Sequence, residues 1–384
     1  MELNKKKVVH IISNLSLGGA QILVLDILKN LKKKSDLDVT LITIDSGEFM
    51  ENYKNEGIKV YDLKEKGLVN INIYFKLKKL LSDIKPNLVH THLNKADFYG
   101  RIAAKKAKVP IVVSTCHNYS TTHTGADINK KSVFDRIDDL VINYSGSYLI
   151  AISELVKKYL INRNNKFAEK TIMIYNGVDS GKSKYVLSPE AQIIFRQSNS
   201  FKTDDFVITI SGRLEKQKGH MFFLKSIIEI LENNKNIKVL ILGEGSLRET
   251  IKSFISENDL TDQVILKGFN KDIEPYIEIS DLICVPSLWE GFGLVIIEGM
   301  LKRKIVLASA VGGIPEIITD GCNGFLFEKE NKEDFKEKFL TIYNRISDLE
   351  NVKDNAYNTI LEKFDIEKNS ELYYNFYRRL FDNK

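Results

Sequence analysis

Short apolar runs punctuate this chain, and segments patterned as helices separate them. KVVHIIS (7–13), DVTLITI (38–44), IKVYDL (58–63), NLVHTH (87–92), PIVVSTCHN (110–118), YLIAIS (148–153) and TIMIYNGVD (171–179) read as strands. Between them fall helices at 21–32, at IYFKLKKLLSDI (73–84), which Pro86 stops, and at roughly 132–145. Strands alternating with helices imply a parallel sheet. The pattern breaks after residue 180, where Ser188 and Pro189 supply an N-cap and a first helical residue. It restarts at FVITISGRL (206–214) and runs on through IKVLILGEG (237–245) and QVILKGF (263–269). The halves thus repeat one α/β architecture without repeating sequence, and 384 residues suffice for two cores. The expected division is a first domain over 1–180, a linker over 181–205, a second domain over 206–365 and an aromatic-rich terminal helix over 366–384.

The stretch 285–318, VPSLWEGFGLVIIEGMLKRKIVLASAVGGIPEII, carries the densest chemistry. An apolar run ends at Val285, a turn holds glycines 291 and 293, and Leu294 to Leu301 reads as a buried helix. Glu290 therefore sits in a loop beside backbone N–H groups that lack intrahelical partners, a place suited to an anion or a polar sugar. Glu298 follows eight residues later, about two turns along the helix, among apolar neighbours. A carboxylate there needs hydroxyls or a cation, and a salt bridge to Lys302 satisfies it as well as a ligand would. A second strand, 305–308, and the turn-rich VGGIPEII complete a βαβ unit whose ligands belong at the carboxyl ends of its strands.

Other groups could carry chemistry. His117 comes at the end of a strand, where a structural hydrogen bond is the commoner role. His90 and His92, two apart, share a strand face as metal ligands would, but no acidic or cysteine ligand lies near in sequence, so cleft lining or packing is the reading. Arg213 and Lys218 in SGRLEKQKG follow a strand and precede a helix; two cations there would neutralise a departing diphosphate, and solvated surface charge is the plainer alternative. Gly18 and Gly19 let the backbone of a helix start approach a ligand, although the spacing is not that of a dinucleotide site. GEG (243–245) and KGF (267–269) are weaker turns of the same kind. The triplet Asp36, Leu37, Asp38 reads as solvated loop.

Glu290 and Glu298 within PSLWEGFGLVIIEGM, followed by GGIPEII, resemble the E-x7-E signature of a large glycosyltransferase family, group 1 or family 4. The resemblance implies a GT-B fold, two Rossmann-like domains with parallel sheets facing across a cleft, and a terminal helix that crosses back onto the first. It implies a nucleotide diphosphate sugar as donor, a UDP-sugar in our reading, with retention of anomeric configuration and no metal or other cofactor. SGRLEKQKG matches the diphosphate-binding arginine and lysine, and STCHN resembles the segment whose histidine reaches the donor sugar. By the same resemblance Gly18 and Gly19 lie against the donor phosphates, Glu298 holds the ribose, and Glu290 with the backbone of Phe292, Gly293 and Leu294 holds the sugar and phosphate. Gln21 stands where the family often has an acid.

Composition bounds the partners. Cys116, Cys284 and Cys322 show no paired or metal-like spacing, which points to a reducing cytoplasm. No apolar run reaches the eighteen or so residues of a membrane span. Residues 1–180 hold 28 Lys+Arg against 19 Asp+Glu, while the remainder holds 28 against 32. The basic half suits an anionic membrane surface or a lipid-linked phosphate, with Lys32, Lys33, Lys34 and Lys105, Lys106, Lys108 as candidate patches; lysine-rich surface without a partner explains it equally. Nothing points to nucleic acid. A glycan or lipid-linked acceptor of surface polysaccharide assembly is the expected second substrate. The rival classes are a non-catalytic nucleotide-sugar-binding partner protein and a nucleotide-sugar epimerase.

Overall fold

The computed structural model describes residues 5–16, 18–67, 69–118, 132–184, 186–270 and 272–383. They form two compact units, one of Met1–Asp179 with Asp365–Lys384, the other of Ser180–Phe364.

The first unit holds strands β1 (Lys6–Asn14), β2 (Leu37–Asp45), β3 (Lys59–Asp62), β4 (Leu88–His92), β5 (Ile111–Cys116), β6 (Tyr148–Ala151) and β7 (Thr171–Met173). All pair in parallel, in the order β3-β2-β1-β4-β5-β6-β7. Its helices are α1 (Gly19–Lys32), α2 (Met50–Asn55), α3 (Ile71–Ile84), α4 (Asn94–Lys106), α5 (Val133–Ser145) and α6 (Glu154–Arg163). Helices cover both faces of such a sheet, which is why all five residues of β4 are buried, its two histidines included.

Expected strand 171–179 ends early. β7 stops at Met173, and Val178 bridges to Asp365, its carbonyl accepting from the Ile366 N–H at 3.0 Å. The segment thereby anchors the terminal helix, whose Ile366, Tyr373, Phe376, Tyr377 and Leu380 enter the same core as β1 and α1. Asp36, read from sequence as solvated, is corrected here: both its oxygens accept from the Tyr374 hydroxyl at 3.0 Å. Lys33 and Lys34 are likewise committed, to Glu367 and Glu371 of that helix. A pairing 338 residues apart leaves no local trace in sequence.

The second unit opens with α7 (Pro189–Ser198), capped by the Ser188 hydroxyl with Pro189 in its first turn. Strands β8 (Phe206–Ser211), β9 (Ile237–Leu242), β10 (Val264–Gly268), β11 (Leu282–Val285), β12 (Ile305–Ser309) and β13 (Phe325–Phe327) follow. They also pair in parallel, as β10-β9-β8-β11-β12-β13. Helices α8 (His220–Asn233), α9 (Arg248–Glu257), α10 (Glu274–Glu278), α11 (Leu294–Leu301), α12 (Ile314–Ile317), α13 (Lys332–Arg345) and α14 (Glu350–Lys363) flank them. The terminal helix is α15 (Ile366–Asp382). Within the stretch 181–205, expected as linker, Phe195 and Phe201 pack on the second core, and Arg196 donates to the Ile279 carbonyl and to Asp281.

Candidate active site

In the second sheet the strand order reverses between β8 and β11, and a crevice outside the carboxyl ends of such neighbours is where doubly wound sheets bind ligands. The loop after β8 carries Arg213 and, in a short 3-10 turn, Lys218; the loop after β11 carries Glu290. Adjacent strand ends thus bring together residues 72 or more apart in sequence. The Lys218 ammonium donates to Glu290 Oε2 at 2.6 Å, and the Ser287 hydroxyl reaches the same oxygen at 3.3 Å. Gln217 ties the two loops: its side chain donates to the Trp289 carbonyl at 3.1 Å, and its carbonyl accepts from the Leu288 N–H at 2.8 Å. Arg213 approaches Gln217 Oε1 at 3.5 Å, the limit of a hydrogen bond.

The loop after β12 closes the arrangement from the other side. The Gly313 N–H donates to the Glu290 carbonyl at 3.2 Å, and Ser309 Oγ donates to the Ser287 carbonyl at 2.5 Å. Gly312 has φ +63°, and a Cβ there would lie 1.7 Å from the Glu290 carbonyl oxygen, so only glycine permits this approach. Helix α11 begins where expected, with Gly293 as its cap at φ +104° and no side-chain cap. Its first N–H groups, on Leu294 and its successors, therefore point toward the same edge. The Phe292 ring is buried 5.5 Å from Phe364, so only the backbone of this residue can face a ligand.

Glu298 sits closer to that edge than the sequence reading had it. Residues 290–293 are loop, so Glu298 is one turn into α11 rather than two. Lys302, its suggested partner, directs its ammonium to Glu278 at 3.0 Å and Glu274 at 3.7 Å. Two buried polar groups border the site that sequence did not single out. His220, first in α8, and the Trp289 indole N–H have no hydrogen-bond partner among the described residues. Burial, then the Lys218 charge, lowers the His220 imidazole to about 4. The only local signal was a histidine opening an apolar helix.

The first unit has its own reversal, between β1 and β4. His10 on β1 stands opposite His90 on β4, and His92 stands opposite Thr115 on β5. Their rings link into one hydrogen-bonded chain. Thr115 Oγ1 lies 2.7 Å from His90 Nε2, whose Nδ1 meets the Tyr377 hydroxyl at 2.5 Å. That hydroxyl lies 3.3 Å from His10 Nε2; His10 Nδ1 reaches His92 Nε2 at 2.9 Å; and His92 Nδ1 reaches His117 Nε2 at 3.4 Å. Burial draws His10 down to about 3 and His117 to about 4, and it holds His90 and His92 well below the usual range. His10, His90 and His92 are the described trio with metal-ligand spacing, their ligand atoms within 4.8 Å of one another. Hydrogen bonds already engage both nitrogens of all three. The sequence reading missed His10 because strand adjacency across the reversal, not spacing, brings it in.

Gly18 and Gly19 start α1 on the strand edge beside this chain, with Gly18 extended at φ −174°. Gln21 turns back from the helix, its amide donating to Asn14 Oδ1 at 3.1 Å and to the Asn14 carbonyl at 3.3 Å.

Comparison with known proteins agrees with this geometry. Residues 191–359 match the family described as Glycosyl transferases group 1, and residues 17–182 match Glycosyltransferase Family 4. A UDP-Gal:alpha-D-GlcNAc-diphosphoundecaprenol alpha-1,3-galactosyltransferase of Escherichia coli is 27% identical over 376 residues, 95% of each chain. An uncharacterized glycosyltransferase of Methanocaldococcus jannaschii is 30% identical over 334 residues, 85% of each chain. The crystal structure of Anabaena HepE in complex with UDP and glucose superposes with a TM-score of 0.85 at 21% identity, covering 97% of this chain and 100% of that one. That likeness makes the fold GT-B. With both halves matched to the family and full-length relatives named for the same activity, the chain belongs to the group 1 glycosyltransferases and is a transferase of glycan biosynthesis.

Proposed function

We propose that this enzyme moves a sugar from a UDP-sugar to a lipid-linked or glycan acceptor, with retention and without a metal ion. The observation that carries the reading is the meeting of Lys218 and Glu290, with Arg213 close by, on the two loops that flank the strand reversal of the second sheet. A cation pair at that edge neutralises a diphosphate as its bond to the sugar breaks, the task a divalent ion performs elsewhere. The α11 N-terminus adds N–H donors for a phosphate oxygen. The sugar–phosphate C–O bond breaks, the acceptor oxygen bonds to the same carbon from the same face, and the departing diphosphate takes the acceptor proton. Glu298, a turn along α11, holds the ribose. HepE binding UDP with glucose, and the galactosyltransferase acting on a diphosphoundecaprenol-linked sugar, support donor and acceptor classes.

The test is product analysis with a panel of nucleotide diphosphate sugars, guided by melting temperature. UDP at a hundred times its dissociation constant should stabilise the fold by about 2.7 kcal/mol. Turnover is expected to persist in excess EDTA. Activity that is lost in EDTA and returns only with Mn²⁺ or Mg²⁺ would reject metal independence.

A further inference from the structure

Helix α5 turns its acids inward and an apolar stripe outward. Its acidic residues face inward: Asp135 accepts from the Tyr159 hydroxyl at 2.6 Å, Asp138 accepts from Arg163 at 2.7 Å and pairs with Arg101, and Asp139 accepts from Arg163 Nε at 2.8 Å. Val141 and Ile142 are buried, but its other apolar residues face outward. Val133, Phe134, Ile137, Leu140 and Tyr144 are 71%, 60%, 43%, 69% and 46% exposed. Positions 133, 137, 140 and 144 fall on one helical stripe, the spacing that normally marks the face toward a core. Helix α4 packs against both α3 and α5, and Phe98 on α4 with Phe75 and Ile71 on α3 are exposed as well. Large apolar side chains exposed together on three packed helices mark an interaction site.

The charges around it select the partner. Lys78, Lys79, Lys85, Lys105, Lys106, Lys108 and Arg136 are exposed on or beside these three helices, whose one exposed acid among the described residues is Asp83. Lys106 sits over the Tyr144 ring at 5.7 Å, so cation and apolar stripe form one surface. A second copy of the chain docked through this face would set like charges against each other, because a two-fold interface repeats the same patch on both sides. An anionic bilayer satisfies both features, with apolar side chains entering the headgroup–acyl boundary and lysines meeting lipid phosphates. Among the described residues no helix is long and apolar enough to cross a membrane.

We propose that the outward face of α3, α4 and α5 docks this enzyme on an anionic phospholipid surface. In a parallel sheet each helix begins at the carboxyl edge of the strand before it. Ile71, Phe98, Val133 and Phe134 thus mark the edge where His92 and His117 lie. Docking there holds a lipid-linked acceptor beside the strand-end histidines of the first unit with its lipid still in the bilayer. That consequence rests on the acceptor class proposed above; the surface itself does not.

Co-sedimentation of the full chain with vesicles tests it, using equimolar phosphatidylglycerol and phosphatidylcholine against phosphatidylcholine alone. The parent should bind the anionic vesicles and release with salt. A Phe134→Ser, Ile137→Ser, Leu140→Ser variant should bind about tenfold or more weakly even at low salt. A Lys105→Gln, Lys106→Gln, Lys108→Gln variant should weaken binding about a hundredfold and flatten the salt dependence. Both change exposed residues, so each should melt with the parent and keep its UDP-induced shift. A parent that stays in the supernatant, an apolar variant that binds like the parent, or a parent dimer that the apolar variant dissolves would each overturn the docking surface. Vesicle binding without any nucleotide shift would leave the surface standing and count against the donor reading alone.

Discussion

Acidification from about pH 7 to pH 5 is expected to remove most of the stability of the first unit while the second loses far less. The cause is proton uptake by the unfolded chain. An unfolded histidine titrates near 6.5, whereas His10 is lowered to about 3 by burial, and His90 and His92 lie well below the ordinary value through burial and then each other's and His10's proximity. A base whose folded value is depressed contributes stability above its unfolded value and loses it as pH falls. His10, and His117 at about 4, therefore forfeit about 2 kcal/mol each at pH 5, and His90 and His92 add losses of the same sign. Asp97 works the other way. Burial raises it to about 6, so the folded unit gains roughly 1 kcal/mol as that carboxyl takes its proton. The second unit has only His220, lowered to about 4, and so loses about 2 kcal/mol. Domains hold 5–15 kcal/mol in all, which puts the first unit near its threshold at pH 5. The single tryptophan, Trp289, lies in the second unit. Far-UV circular dichroism should therefore show a transition at acid pH that tryptophan fluorescence does not follow. A melting profile unchanged between pH 7 and pH 5 would mean that the rings titrate as in the unfolded chain and do not form a buried hydrogen-bonded chain.

What was legible in the sequence was whatever neighbours in sequence decide. The apolar runs and the Ser188–Pro189 start of α7 are local signals, and α11 spans Leu294–Leu301 as its pattern implied. The pairing of Glu290 with Lys218 was not legible, because it depends on β8 and β11 lying side by side. Sequence assigned the two residues to separate tasks, sugar and diphosphate; the structure makes them partners. Tyr377 entering the histidine chain, and Asp36 accepting from Tyr374, likewise depend on where the terminal helix lands. The inverted face of α5 was hidden for a different reason. Its apolar stripe has ordinary core spacing, and only the buried Arg101 and Arg163, drawing the aspartates inward, reverse which side faces water. Of the two lysine clusters noticed in sequence, Lys33 and Lys34 are taken by Glu367 and Glu371, while Lys105, Lys106 and Lys108 stay exposed.

Removing the Lys218 ammonium should lower the turnover number about 10²- to 10³-fold, the usual loss when one preorganised donor to developing charge is deleted. Lys218→Met removes the charge and keeps the length of the stem. Because the ammonium holds Glu290 at 2.6 Å, the substitution also frees that carboxylate, so the two residues should behave as a unit. Glu290→Gln should lower turnover too, with nucleotide affinity barely changed. The double variant should then lose little more than the worse single one. Glu298→Gln makes the contrast. A grip on the ribose is equal in ground and transition states, so losing its charge should weaken UDP binding roughly 10- to 100-fold and leave turnover near the parent at saturating donor. Melting temperatures near the parent are the precondition, since Glu298 is half-buried in α11 and each change could act through folding. Additive losses from Lys218→Met and Glu290→Gln would mean the resting ion pair has no part in the reaction. Equal losses of UDP affinity from Glu290→Gln and Glu298→Gln, with turnover unchanged in both, would dissolve the division between the glutamates and reduce the E-x7-E pair to a nucleotide clamp.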